Sequence, residues 1–258
     1  MKNISPDTYP MVSVVIPFFN RIELTQRAVI SVFAQTYSNL EVIIVNNGST
    51  EDDSTILELF SARGKLSYKY IKLQKNVGSA EARNIAVNTA IGRYIAFLDS
   101  DDTWETDKLK IQIEQMLKNG WQFSHTSYYR HDTRNDQLKT IRSGLNHYIF
   151  PWPAFHCLIA TPSVVLNRNL LCGLSFRSDL RFAYDTLLWL ELSKRITLHG
   201  IDKPLTHVFV GNLTTALNNS IQDEALRLLA MDGLAGHHFL LAIHALYRIT
   251  RKIQRRIC

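Results

Sequence analysis

The sequence predicts an α/β protein, built on a mostly parallel sheet with helices on both faces. Three observations carry this expectation. Short β-branched runs alternate with helical segments through the first 110 or so residues, turn-forming residues separate them, and the unusual polar residues all fall directly after a strand.

Residues 12–16, Val-Ser-Val-Val-Ile, read as a buried strand closed by Pro17. Asn20 is placed as the N-cap of a helix over 21–36, where Leu24, Ala28 and Val32 recur at helical spacing. A second strand covers 40–45, followed by the turn Asn46-Asn47-Gly48-Ser49-Thr50 and a helix over 52–63. Then come a strand over 68–73, a helix over 79–89 behind Gly78, and a strand over 94–98. In such a sheet the ligand site lies beyond the C-terminal strand ends. After Lys108 the alternation weakens to an amphipathic helix ending near Asn119, a strand near 121–129, and a polar, turn-rich stretch over 130–146 that is a candidate lid.

The chain has 258 residues, 46% hydrophobic and 20% charged, with 11 Gly and 7 Pro, which excludes disorder, collagen and coiled coil. That length suits one domain with a terminal appendage. The net charge of +6 is a mild excess, and no nucleic-acid partner is expected. Cys157, Cys172 and Cys258 are odd in number with no Cys-x-x-Cys pair, which argues against a disulfide framework and a cysteine zinc site and favours a reducing compartment. No signal-like apolar run follows Met1, and no stretch approaches the roughly 18 apolar residues of a membrane span, so a cytoplasmic location is expected.

Asp99-Ser100-Asp101-Asp102 follows the strand Ile95-Ala96-Phe97-Leu98, and a pleated backbone would point Asp99 and Asp101 the same way. Alternate carboxylates at a strand end suit Mg²⁺ or Mn²⁺, with water and phosphate oxygens completing the shell. An acidic turn capping the next helix is the plainer alternative.

Four segments in order resemble the inverting nucleotide-sugar glycosyltransferases of family 2, whose fold is called GT-A. They are Val12-Ser13-Val14-Val15-Ile16-Pro17-Phe18-Phe19-Asn20, Val45-Asn46-Asn47-Gly48-Ser49-Thr50, Asn76-Val77-Gly78-Ser79-Ala80-Glu81-Ala82-Arg83-Asn84, and Gly92 through Asp102. The resemblance covers roughly residues 11–210. It implies a domain over 1–218, with a nucleotide-sugar half over about 11–110 and an acceptor half over 111–218, and a C-terminal helical appendage over 219–258. By this resemblance Pro17 and Phe19 lie near the nucleotide base, Asp99 binds ribose, Asp101 binds a Mn²⁺ or Mg²⁺ on the diphosphate, and Arg83 faces the donor. Core packing for Phe18 and Phe19, and a structural ion pair for Arg83, stand beside these roles.

The family usually carries Asp-Asp where this chain has Asn46-Asn47. An amide offers a donor as well as an acceptor, so Asn47 can still read uracil, while an Asn-Gly turn is its plainer role.

Transfer of a glycosyl group to a hydroxyl needs a base for the acceptor proton. The segment 176–192 resembles the family region in which an acidic pair precedes a helix reading aspartate-leucine-tryptophan. Asp185 aligns with the base and Tyr184 stands where Glu is common; a charge matched to the helix dipole is the alternative for Asp185. Thr161 and Ser163 are at most positioning groups, Asp179 is the second candidate for the base, and His207 falls where some GT-A enzymes supply a metal ligand.

From His237 to Cys258 there is no acidic residue. Arg248, Arg251, Lys252, Arg255 and Arg256 project to one helix face at about 100° per residue, while Phe239, Ile243, Leu246, Ile249, Ile253 and Ile257 occupy much of the other. Such a helix suits an anionic inner-membrane surface, or a docked position on its own domain. His237, His238 and His244 read as packing groups there. The resemblance implies a metal-dependent transfer from a nucleotide-sugar donor, with a UDP-sugar expected, to a glycan or polyprenyl-linked saccharide acceptor in bacterial surface polysaccharide synthesis. A non-catalytic, membrane-associated nucleotide-sugar-binding module is the rival.

Overall fold

A computed structural model describes residues 9–63, 66–145, 147–149, 158–180 and 184–211. The expectations for the tail, for His237, His238 and His244, and for a boundary at 218 fall outside the described residues. No described helix is long and apolar enough to cross a membrane.

The first half is β1 (Val12–Phe18), α1 (Ile22–Phe33), β2 (Leu40–Asn46), α2 (Ser54–Arg63), β3 (Ser67–Lys72), α3 (Ser79–Thr89) and β4 (Tyr94–Phe97). These four strands pair in parallel in the order β3-β2-β1-β4. Every residue of β1 and β2 is buried, as expected of central strands covered on both faces. The period of two sorts them. Val14, Ile16, Val42 and Ile44 pack with α1, α2 and α4 residues, whereas Val15, Ile43 and Val45 pack with Ala82, Ala86 and Trp189.

The second half continues with β5 (Thr103–Trp104), α4 (Lys108–Asn119), β6 (Phe123–Asp132), β7 (Gln137–Ile141), β8 (Val165–Asn167), α5 (Tyr184–Ser193) and β9 (His199–Val210). It extends the sheet as β4-β8-β6-β9-β5, with β8 antiparallel to β4 and β6 parallel to β9. The expected α/β architecture holds, and the parallel character belongs to the first four strands.

Two local expectations are corrected. Pro17 does not end β1: it pairs in register with Val45. The ladder to β4 stops at Val15, where Leu98 N donates to Val15 O, so the missing proline N–H removes no bond from it. Asn20 is not the N-cap of α1. Arg21 holds that position in a left-handed conformation with φ 60°, and the Asn20 Oδ1 accepts from Thr50 N at 3.0 Å instead. The described part of the stretch 130–146 is built as the β6–β7 hairpin and a 3₁₀ turn, Ser143–Leu145.

The start of β4 is fixed by a buried carboxylate. Glu41 Oε1 accepts from Ser13 Oγ at 2.5 Å and from Ile91 N at 2.7 Å, and Gly92 N donates to Ser13 Oγ at 2.9 Å. A Cβ on Gly92 would stand 2.7 Å from Ser13 N and 3.0 Å from Met11 O, both backbone. Gly92→Ala is therefore expected to lower the unfolding free energy by about 1–3 kcal/mol, read by thermal denaturation; an unchanged Tm would refute this close fit.

Lys108 is fully buried at the start of α4, with Nζ 2.7 Å from Gln112 Oε1 and 4.2 Å from the Trp104 ring centre. Burial pushes its amine well below the ordinary lysine value. The folded chain then binds fewer protons than the unfolded chain between that lowered value and about pH 10.4, so stability rises with pH through this window. Lys108→Met removes that slope. The Tm of wild type relative to the variant is expected to rise between pH 7 and 10, and parallel curves would contradict it.

Candidate active site

The C-terminal ends of β1, β2 and β4 open into one cavity of about 300 Å³, bounded on the far side by the N-termini of α3 and α5. It is lined by Pro17, Phe18, Phe19, Arg21, Asn47, Ser79, Arg83, Asp99, Ser100, Asp101 and Tyr184. Alternation at the end of β1 separates the two phenylalanines: Phe18 is in the core, whereas Phe19 is 42% exposed.

The β1–α1 loop takes its shape from the loop after β2. Asn20 and Arg21 both have positive φ, 53° and 60°, which non-glycine residues adopt only when their surroundings hold them. Here Asn20 N donates to Ser49 Oγ at 2.8 Å, and Thr50 N to Asn20 Oδ1. This turn carries Arg21 over the cavity, where Nη1 lies 2.8 Å from Asp101 Oδ2. Sequence reasoning missed Arg21, because an arginine after an asparagine carries no signal for two left-handed residues.

At the end of β2 the two asparagines do different things. Asn46 is buried and donates to Asp53 and to the Tyr70 hydroxyl, while its Oδ1 accepts from Ser49 N at 2.8 Å. Asn47 reaches the loop before α3: its Oδ1 accepts from Val77 N at 2.9 Å and its Nδ2 donates to Asn76 Oδ1 at 3.0 Å. The positive φ of the expected turn falls on Gly48, at 77°, where a Cβ would stand 2.4 Å from the Lys75 carbonyl carbon.

Arg83 projects from α3 and is 5% exposed. It pairs with Asp99 and donates from Nη1 to the Tyr184 hydroxyl at 2.9 Å, so the ion pair and the cavity wall are one arrangement. Burial opposes its charge, but Asp99 and Tyr184 outweigh it and hold the guanidinium more firmly protonated than an ordinary arginine. Tyr184 Oη also lies 2.6 Å from Ser79 Oγ.

Asp101 and Asp102 are crowded carboxyls. Burial and then Asp99 push Asp101 above the usual carboxylate range, with Arg21 pulling the other way. Asp102 is pushed well up by burial, Asp99 and Asp101, and accepts from Phe209 N at 2.8 Å. A cation would relieve this crowding. Among the described residues no group of three His, Cys, Asp or Glu forms a metal cage, so a cation here would rest on Asp101 and be completed by ligand oxygens and water. His207 is engaged elsewhere, with Nε2 2.8 Å from Glu105 Oε1 and Nδ1 2.8 Å from His131 Nε2.

Asp185 lies in the first turn of α5, next to Tyr184, and is not itself among the residues lining the cavity. Its Oδ2 accepts from Thr161 Oγ1 at 2.8 Å and its Oδ1 from Thr186 N at 2.7 Å. Thr161–Ser163 is a buried 3₁₀ turn, and Ser163 Oγ donates to Ala160 O. Asp179 is exposed and paired with Arg177.

The family model described as Glycosyl transferase family 2 matches residues 13–170. An uncharacterized glycosyltransferase of Rickettsia bellii is 39% identical over 217 residues, 83% of this chain and 31% of that protein, so the chain spans about a third of that relative's length. The Escherichia coli protein WfgD, named UDP-Glc:alpha-D-GlcNAc-diphosphoundecaprenol beta-1,3-glucosyltransferase, is 32% identical over 200 residues, 74% of this chain and 73% of WfgD. The crystal structure of S. aureus TarS 1-349 in complex with UDP-GlcNAc superposes with a TM-score of 0.70 at 18% identity, covering 93% of this chain and 73% of that 1-349 chain, and shares its GT-A fold. With the family motifs lining one cavity at the strand ends of that fold, the chain belongs to glycosyl transferase family 2.

Proposed function

We propose that this chain is an inverting glycosyltransferase that moves a sugar from a UDP-sugar to a hydroxyl of a glycan or lipid-linked saccharide. One observation carries the reading: Pro17, Phe19, Asn47, Arg83, Asp99 and Asp101 converge on a single cavity, with Asp185 adjacent to its wall. The half-exposed Phe19 and the Asn47 amide receive the base, Asp99 the ribose, and Asp101 faces the diphosphate. WfgD is named for a UDP-glucose donor and a lipid-linked acceptor, and TarS was crystallised with UDP-GlcNAc; both support a UDP-sugar here.

In the reaction the acceptor hydroxyl oxygen attacks the sugar C1 as the bond from C1 to the diphosphate oxygen breaks, and the hydroxyl proton passes to Asp185. Thr161 holds one Asp185 oxygen, which leaves a fixed carboxylate to receive it. Arg83 keeps Asp99 in place from inside the wall. A bound Mn²⁺ or Mg²⁺ would supply positive charge against the leaving diphosphate. Arg21 has to leave Asp101 before that position opens, and its exposed side chain is free to do so. The setting this reading implies is bacterial envelope polysaccharide synthesis at the inner face of the membrane, with the C-terminal basic segment as the contact.

Calorimetry with UDP, dTDP, GDP and CDP, each with Mn²⁺ and with chelator, tests the donor site. UDP is expected to bind best, and at least about tenfold more tightly with Mn²⁺. A folded chain that binds none of the four would instead be a non-catalytic module.

A further inference from the structure

We propose that Trp104, Lys108 and Gln112 are positioning residues for Asp185, acting through the 3₁₀ turn Thr161–Ser163. The inference rests on the reading of Asp185 as the base. It starts from a buried lysine for which that reading has no use: Lys108 contacts Gln112 and the Trp104 ring, and no carboxylate among the described residues is paired with it.

Lys108 and Gln112 are four apart on α4 and so share a face. The Gln112 amide accepts from Lys108 Nζ through its oxygen, a bond that the lysine N–H supplies in either protonation state. Its NH₂ then points the other way, donating to Ser124 Oγ at 3.0 Å and Ser163 O at 3.1 Å. Trp104 Nε1 donates to Pro162 O at 2.8 Å, and Thr206 Oγ1 approaches the same oxygen at 3.4 Å. The turn is thus held at two successive carbonyls, and its first residue, Thr161, donates the one hydrogen bond that Asp185 takes from another side chain among the described residues, the Thr186 backbone N–H supplying the other. Trp104, Lys108 and Gln112 follow Asp99–Asp102 within one short segment. The piece of chain that forms the acidic end of the donor cavity therefore also sets the orientation of the base, which ties the two halves of the site to one rigid support.

The test uses the full chain, UDP-glucose and a synthetic GlcNAc-diphosphate lipid, with Gln112→Leu, Trp104→Phe, Thr161→Val and the double variant Gln112→Leu/Thr161→Val. Each folded single variant is expected to lose about 10- to 100-fold in kcat, because a displaced catalytic group weakens the reaction without weakening binding. KM for UDP-glucose and calorimetric UDP affinity should stay within about twofold. The double variant should be no slower than Thr161→Val, since both act on one bond. Unchanged kcat in folded Gln112→Leu and Trp104→Phe, or losses that multiply in the double variant, would overturn the proposal. Should Gln112→Leu not fold, Trp104→Phe alone carries the same comparison. If wild type binds UDP but does not turn over this pair, the proposed acceptor is wrong, and amide exchange decides the positioning: faster exchange at Ser163 and Thr186 in the variants supports it, and unchanged exchange rejects it.

Discussion

Asp185→Asn is expected to lower the rate of glycosyl transfer by about 10²- to 10⁴-fold, the range that a positioned general base contributes, while UDP affinity stays unchanged. The substitution keeps the shape of the side chain. The introduced amide can still accept from Thr161 or from the Thr186 N–H through its oxygen, so the start of α5 and the wall beside Tyr184 remain in place. What it loses is the capacity to take the acceptor proton as the new C–O bond forms. Product formation measured beside UDP calorimetry separates the two effects. Retained transfer would remove Asp185 from the role of base, and the exposed, Arg177-paired Asp179 offers no replacement inside the cavity.

Asp101→Asn is expected to act on binding and stability in opposite directions. With the carboxylate gone, UDP affinity in Mn²⁺ should fall to the value found in chelator, and transfer should drop by about 10²-fold or more as the leaving diphosphate loses its counter-charge. The ligand-free chain should melt at the same temperature or higher, because a raised carboxyl beside Asp99 and Asp102 is a source of repulsion. The lost ion pair with Arg21 offsets little of this, since both partners are partly exposed and such pairs are worth about 0–1 kcal/mol. The raised Asp101 carboxyl also fixes the sign of the pH dependence. Protons compete for it at higher pH than for an ordinary aspartate, so Mn²⁺-dependent UDP binding in wild type should weaken as pH falls toward that value. Metal-dependent UDP binding that survives Asp101→Asn would sink the assignment.

The helices α3 and α4 lie where the sequence places them, and β2, β3 and β4 agree to within a residue or two at either end, because apolar periodicity reports burial directly. The cavity was legible for a related reason. In a parallel sheet every strand delivers its C-terminal end to the same edge, so residues at the ends of three separate strands meet without any knowledge of the second half. That rule brought Pro17, Phe19, Asn47, Asp99 and Asp101 together, and the motif on α3 added Arg83.

Tertiary structure decided what depends on a partner distant in the chain. Asn20 is a good cap by composition, yet its side chain bonds to the loop after β2, some thirty residues on, and leaves Arg21 over the cavity. Pro17 stays within β1 because β4 is short on one side, a property of β4 and not of the proline. The polar stretch after β6 becomes a hairpin because β9 gives β6 a partner along nearly its whole length. In the sequence Lys108 marks only where the strand–helix alternation weakens, but the indole of Trp104 and the amide of Gln112 enclose it, and these two side chains also reach the turn that begins with Thr161, the partner of Asp185. Local sequence determined, to within a residue or two, where β1–β4 and α1–α4 begin, since burial periodicity and turn chemistry act over a few residues. Which polar groups meet was settled by packing, since a hydrogen bond between residues far apart in the chain leaves no trace in either neighbourhood alone.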